Sequence, residues 1–176
     1  MRVVAGEARG RPIVAPEGNR TRPTSDRVRE SIFNMLFSLG AIDDVKVLDL
    51  YAGCGALGIE ALSRGAEHCT FVEQDRRAVE CIQNNLDALG YSDRATVVQA
   101  EVLEWIERCS DGFDVVLADP PYADESWTEL LDSVDSRWLV AEAGETVAEH
   151  PRWDVVREKT YGTTVVTVFA RQGFAK

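Results

Sequence analysis

Two short strings in this 176-residue chain bring together residue types that chemistry needs. One is Asp119-Pro120-Pro121-Tyr122; the other is Asp49-Leu50-Tyr51-Ala52-Gly53-Cys54-Gly55-Ala56-Leu57-Gly58. Consecutive prolines restrict the backbone and remove N–H donors. They leave the Pro120 carbonyl outward as an acceptor beside the Asp119 carboxylate, and Tyr122 adds an aromatic plane. Two acceptors and a stacking face suit a planar nitrogen heterocycle with an exocyclic NH2, its nitrogen aimed at an electrophilic methyl group. The second string satisfies G-x-G-x-x-G through Gly53, Gly55 and Gly58, a pattern in which glycines permit a tight turn and close approach to a ligand. Glu73 follows about twenty residues on, where a carboxylate accepts both hydroxyls of a ribose. The glycine string alone fits either a dinucleotide or S-adenosylmethionine, since both present an adenosine with a free ribose diol. Asp49 discriminates between them: a carboxylate there suits the cationic amino group of a methionine moiety better than a pyrophosphate.

These residues need elements to position them. The pattern predicts an apolar strand over Val45–Leu50, a helix over Leu57–Arg64 and a strand over Cys69–Val72. A helix over residues 76–89 closes at Gly90, in the position past the last turn where glycine is favoured. A strand at Thr96–Val98, a short helix bearing Val102, Leu103 and Ile106, and a strand at Phe113–Ala118 come next. Both chemical strings thus sit at the carboxyl ends of strands, where open α/β sheets bind their ligands. A helix over Trp127–Val134 and a strand over Thr146–Ala148 follow, and Trp153–Tyr161, Gly162 and Thr163–Arg171 read as a terminal hairpin. Upstream, Arg2–Val4 and Pro12–Val14 form a small basic hairpin, and Thr24 or Ser25 caps a helix with Val28, Ile32, Met35, Leu36 and Leu39 on one face. Alternating strands and helices give an α/β, doubly wound fold with a mostly parallel sheet.

Composition excludes several classes. No apolar run reaches the roughly 20 residues that span a bilayer, and no signal-like segment opens the chain, so a cytoplasmic protein is expected. Cys54, Cys69, Cys81 and Cys109 form no CxxC pair, so neither a metal site nor a disulfide framework is expected. His68 and His150 are expected at the surface. The net charge of −11 is unevenly spread: residues 1–29 carry seven arginines against three acids, while the remainder carries twelve basic and twenty-seven acidic residues. A basic arm, too small and polar to add much core, on an acidic body marks an interaction segment.

The strings Arg22–Glu30, Asp49–Ala61, Phe71–Glu73 and Asp119–Tyr122, with the closing hairpin, resemble the RsmD family along essentially the whole chain. That resemblance implies a Rossmann-like class I S-adenosyl-L-methionine-dependent methyltransferase with a seven-stranded sheet. It implies methylation of a guanine N2 amine in 16S rRNA within the small ribosomal subunit, by a monomer. Residues 1–40 would form an RNA-contacting, cofactor-covering element and 41–176 the methyltransferase domain. Asp119, Pro120 and Tyr122 would be catalytic. Thr24, Asp49, Ala52, Gly53, Gly55, Glu73, Gln74, Glu101 and Val102 would bind the cofactor, and Arg9, Arg11, Arg20 and Arg22 the RNA. Glu101 departs from the family, where Asp or Asn is more frequent.

Three alternatives compete. DNA amino-methyltransferases share Asp-Pro-Pro-Tyr but carry a recognition domain for which 40 N-terminal residues leave no room. Protein glutamine methyltransferases usually begin that motif with Asn. A non-catalytic nucleotide-binding module would not need Asp49, Glu73 and Asp119 together.

Overall fold

The computed structural model describes residues 1–16, 25–121 and 127–173. The elements run α1 (Asp26–Ser38), β1 (Lys46–Leu50), α2 (Ala56–Ser63), β2 (His68–Glu73), α3 (Arg76–Leu89), β3 (Ala95–Gln99), α4 (Val102–Ile106), β4 (Phe113–Ala118), α5 (Trp127–Ser133), β5 (Ser136–Ala143), β6 (Trp153–Tyr161) and β7 (Thr164–Arg171). They form a seven-stranded sheet in the order β3-β2-β1-β4-β5-β7-β6. The five strands β1 to β5 pair in parallel, and β7 pairs antiparallel with both β5 and β6. The expected Rossmann-like sheet and terminal hairpin are therefore both present.

Strand alternation divides the core into two layers. Val47, Phe71, Val115, Leu117 and Val140 face α1, α2 and α3, while Leu48, Leu50, Val116 and Leu139 face α4 and α5. Local chemistry sets the helix ends: the Ser25 hydroxyl accepts the Val28 N–H, and Asp75 Oδ1 accepts the Arg77 and Ala78 N–H groups. Gly90, at φ +79°, closes α3.

Two expectations require correction. Thr146–Ala148 is not a strand; β5 is Ser136–Ala143, whose run Trp138–Ala141 pairs with β4, and only Val147 of the expected strand is buried. The polar residues Arg137 and Glu142 at its ends disguised β5 in the sequence. The arm, in turn, does add core: Val3, Ala8 and Ile13 are buried in the same cluster as α1, α2 and β1. It folds back as a hairpin through a single antiparallel bridge, Arg2 to Pro12, with backbone bonds such as Ile13 N–H to the Met1 carbonyl at 2.9 Å.

Polar bonds rivet the arm to α2. The fully buried Glu60 carboxylate accepts the Val4 N–H at 2.8 Å and the Ala5 N–H at 2.9 Å, and pairs with Arg64 at 2.7 Å and Arg29 at 3.7 Å. Ser63 joins it: its hydroxyl donates to the Ala5 carbonyl and accepts the Ala8 N–H. Between these bonds Gly6 has φ +82°, and a Cβ there would lie 1.8 Å from the Ser63 carbonyl oxygen. Gly6→Ala should therefore destabilise the protein by about 3 kcal/mol, from overpacking added to left-handed strain. The denaturant midpoint of unfolding measures it, and an unchanged midpoint would contradict this packing.

Candidate active site

The three glycines of the fingerprint do different work. Gly55 caps α2 in the left-handed region at φ +80°. At Gly58 a Cβ would sit 2.3 Å from the Phe71 ring, so this glycine lets α2 lie close on β2. Gly53, at φ +56°, has nothing nearer than 4.0 Å to where a Cβ would be, which leaves its backbone open to an approaching group. The loop is tied down by the Ala52 N–H, which donates to the Val72 carbonyl at 3.1 Å, and by the Gly55 N–H on the Ala52 carbonyl at 2.7 Å.

Three carboxylates gather at the strand ends around this loop. Asp49 is buried and its Oδ2 accepts the Gly58 N–H at 2.8 Å. Glu73 accepts the Gly53 N–H on one oxygen at 2.9 Å and the Asp75 N–H on the other at 2.8 Å. Each Glu73 oxygen keeps a further lone pair, so the fixed side chain can still receive two hydroxyl donors. Burial, followed by the charges of Asp119 and Glu73, pushes the Asp49 carboxyl well above the usual range, with the Gly58 N–H opposing the shift. A site that crowds negative charge in this way favours a cationic ligand. Among the described residues no cluster of His, Cys, Asp and Glu is arranged to hold a metal ion. A sulfonium and an ammonium, as S-adenosylmethionine carries, match this donor set.

Asp119 and Pro120 follow β4 directly. The register pairs Leu50 of β1 with Ala118 of β4, so Tyr51 and Asp119 leave the sheet side by side. Asp119 is half-buried, Pro120 buried and Pro121 exposed. Tyr51 is the residue that the sequence reading passes over. Its φ of +58° is a conformation that bulky residues rarely adopt and that concentrates at functional sites. The only signal in the sequence was an aromatic between Asp49 and the glycines.

The other expected residues are placed less directly. Gln74 is exposed and its carbonyl accepts the Gln99 side-chain amide at 3.4 Å. Glu101 is the N-cap of α4, one carboxylate oxygen accepting the Glu104 N–H at 2.8 Å, and Val102 is buried behind it. Arg9 is exposed. Arg11 reaches back to the end of α3, donating to the Ala88 and Leu89 carbonyls. Thr24, Arg20, Arg22 and Tyr122 lie outside the described residues. His68 meets Thr96, whereas His150 is buried, contrary to expectation, with its Nε2 3.2 Å from Asp132 of α5. A cleft of about 330 Å³ bordered by Ala100, Glu104 and Trp105 contains none of the three carboxylates.

Comparison with known proteins identifies relatives over nearly the whole chain. The family described as Conserved hypothetical protein 95 matches residues 1–170. YlbH of Bacillus subtilis (strain 168) is 40% identical over 98% of this chain and 100% of its own length. Ribosomal RNA small subunit methyltransferase D of Escherichia coli (strain K12) is 34% identical over 98% of this chain and 90% of its own. The solved structure of the Escherichia coli protein yhhF superposes with a TM-score of 0.85 at 32% identity, covering 97% of each chain.

The raised Asp49 carboxyl has a consequence for stability. Its folded-state affinity for a proton exceeds that of the unfolded chain, so the stability it confers is present at low pH and lost as pH rises through the raised value. Asn at this position keeps an acceptor for the Gly58 N–H without the charge. Asp49→Asn should therefore melt at the same or a higher temperature than wild type near pH 7, with the difference shrinking toward about pH 4. Thermal unfolding followed by circular dichroism across this range checks the sign.

Proposed function

This chain belongs to the Conserved hypothetical protein 95 family, the RsmD family, and from that premise we propose that it methylates the N2 amine of a guanine in 16S rRNA. It is a methyltransferase of ribosomal RNA, and its methyl donor is S-adenosyl-L-methionine. The observation that carries the proposal is the emergence of Asp119-Pro120 from β4 beside the Asp49 and Glu73 carboxylates of the glycine loop.

When bound, the donor supplies an electrophilic methyl group on sulfur. The work of the protein is orientation, which can lower a barrier by several of the roughly 7–11 kcal/mol available from proximity. Gly53 and Gly55 would lie along the methionine part, with Asp49 opposite its ammonium. Ala52 and Gln74 flank the site, Glu73 takes the ribose hydroxyls, and the Glu101–Val102 segment meets the adenine. Thr24 would contribute to cofactor binding. An aromatic amine is a poor nucleophile because its lone pair is delocalised into the ring. Asp119 and the Pro120 carbonyl would accept its two N–H bonds, draw the nitrogen toward tetrahedral geometry and aim it at the methyl group. Tyr122 would stack on the flipped base, for about 1–3 kcal/mol, against the few kcal/mol that unstacking costs.

Residues 1–40 form the RNA-facing element in this reading, with Arg9, Arg20 and Arg22 on phosphates. Arg11 is offered for the same role, but its bonds to the end of α3 make it a poor test residue, because changing it also loosens the arm. The protein acts as a monomer in the cytoplasm on the small subunit or its precursor.

The reading is tested by incubating the protein with methyl-labelled cofactor and naked 16S rRNA, small subunits or duplex DNA, then digesting to nucleosides. N2-methylguanosine from RNA is expected, whereas label in DNA or another nucleoside would overturn it. Asp119→Ala should keep its fold and cofactor binding and lose about 100-fold or more in turnover, as when a preorganised polar group leaves a reaction centre. Retained turnover in the folded variant would remove Asp119 from the chemistry. Arg9→Glu should weaken RNA binding and lower its dependence on the logarithm of salt concentration by about 0.7–0.9 for the lost contact. Filter binding across a salt series reads this directly.

A further inference from the structure

The arm ends in a clamp that its own packing does not require. Asn85 of α3 is buried and commits its amide to backbone: Oδ1 accepts the Val14 N–H at 3.0 Å, and Nδ2 donates to the Val14 carbonyl at 2.9 Å and the Cys54 carbonyl at 3.1 Å. One turn earlier, the Cys81 thiol donates to the same Val14 carbonyl at 3.0 Å. Yet Val14 is 64% exposed, so holding this residue buries little apolar surface. What is held is the path of the chain as it leaves the arm. The other end of the bond set is Cys54, between Gly53 and Gly55 of the glycine loop.

We propose that Asn85 is a positioning residue that couples the glycine loop to the outgoing end of the N-terminal arm. One planar amide bridges the two, so a ligand that restrains residues 53–55 restrains Val14 as well. The pairing with Val14, one bond donated and one accepted on the same residue, imitates a strand ladder and leaves that residue little freedom to rotate. A ligand lying along Gly53 and Gly55 would add its own restraint to the Cys54 carbonyl and, through the Asn85 amide, to Val14. The effect on methylation rests on the reading that the arm faces RNA, whereas the coupling itself does not.

Amide hydrogen exchange of the full chain, with and without saturating S-adenosylhomocysteine, tests the coupling. In wild type the Val14 N–H should exchange about 10-fold more slowly with the ligand present. Asn85→Asp keeps the acceptor for the Val14 N–H but can donate to neither the Val14 nor the Cys54 carbonyl, so the bridge between them is cut. The variant should bind the ligand, as calorimetry reads, while the ligand-induced slowing at Val14 falls to less than about 2-fold. Wild-type Val14 exchange that ignores the ligand overturns the proposal without reference to any variant, as does an Asn85→Asp protein that responds like wild type. A purely structural Asn85 would lower the melting temperature and leave the ligand response in place. In turnover assays Asn85→Asp should raise KM for the RNA substrate several-fold with kcat changed by less than about 2-fold. If the exchange response is lost while KM does not move, the coupling stands and the RNA role of the arm falls.

Discussion

The hydrogen bond from the Gly58 N–H to Asp49 Oδ2, sealed between β1 and α2, fixes the geometry on which the site depends. It joins the end of β1 to the first turn of α2 and so holds the two ends of the loop between them. The same bond supports a carboxylate whose charge is disfavoured by burial and by Asp119 and Glu73. One N–H does not offset that environment, and the carboxyl stays well above its ordinary range. Such a group is stabilised as an anion when a cation arrives beside it. Fold and ligand therefore share one interaction: the bond that shapes the loop also prepares an acid that a sulfonium and an ammonium would complete.

Glu60, one turn further along α2, extends the constraint to the rest of the molecule. It is fully buried and surrounded by two backbone N–H groups and two guanidinium groups. An apolar residue of similar volume would leave the Val4 and Ala5 N–H groups buried without acceptors, which costs more than the carboxylate does. The arm is thus attached by polar bonds to the helix that the glycine loop begins, and Gly6 is required because no side chain fits against Ser63. Asn85 repeats the device at the other end of the arm. Two buried polar side chains, both on helices next to the loop, set where the arm lies.

Features that depend on near neighbours were legible in the sequence. Ser25 and Gly90 end their helices as expected, β4 runs over Phe113–Ala118 as read, and the glycine loop stands between strand and helix. Features that depend on distant partners were not. The insertion of β7 between β5 and β6 is a choice of strand order that periodicity cannot encode. The arm looked polar because its three buried residues are spaced irregularly among glycines and arginines, and its partners Glu60, Ser63 and Asn85 are 55 to 71 residues away. His150 reads as a surface residue until α5 brings Asp132 to it. At the site, Asp49 and Glu73 were legible from their spacing to the glycines, while the left-handed backbone of Tyr51 was not, since any residue can stand there in a string of letters.

The distribution of charge follows from these attachments and differs from what a count of residues gives. The first 29 residues carry seven arginines, but not all are available to a polyanion. Arg29 is buried with Asp26 and Glu60, Arg11 is held on the carbonyls that end α3, and Arg2 lies 3.5 Å from Asp26. Arg9 and Arg27 are exposed. The rest of the chain remains strongly acidic, with Asp49, Glu73 and Asp119 at the strand ends among its carboxylates. Screening at physiological salt reduces interactions beyond about 8 Å. A few arginines close to the backbone phosphates therefore count for more than the repulsion of a distant acidic face. In the proposed function, an arm fixed by Glu60 and Asn85 would hold its exposed arginines near such phosphates while the carboxylates stay with the cationic ligand and the amine. Rigid attachment of the arm would then keep the two charges apart and both in use.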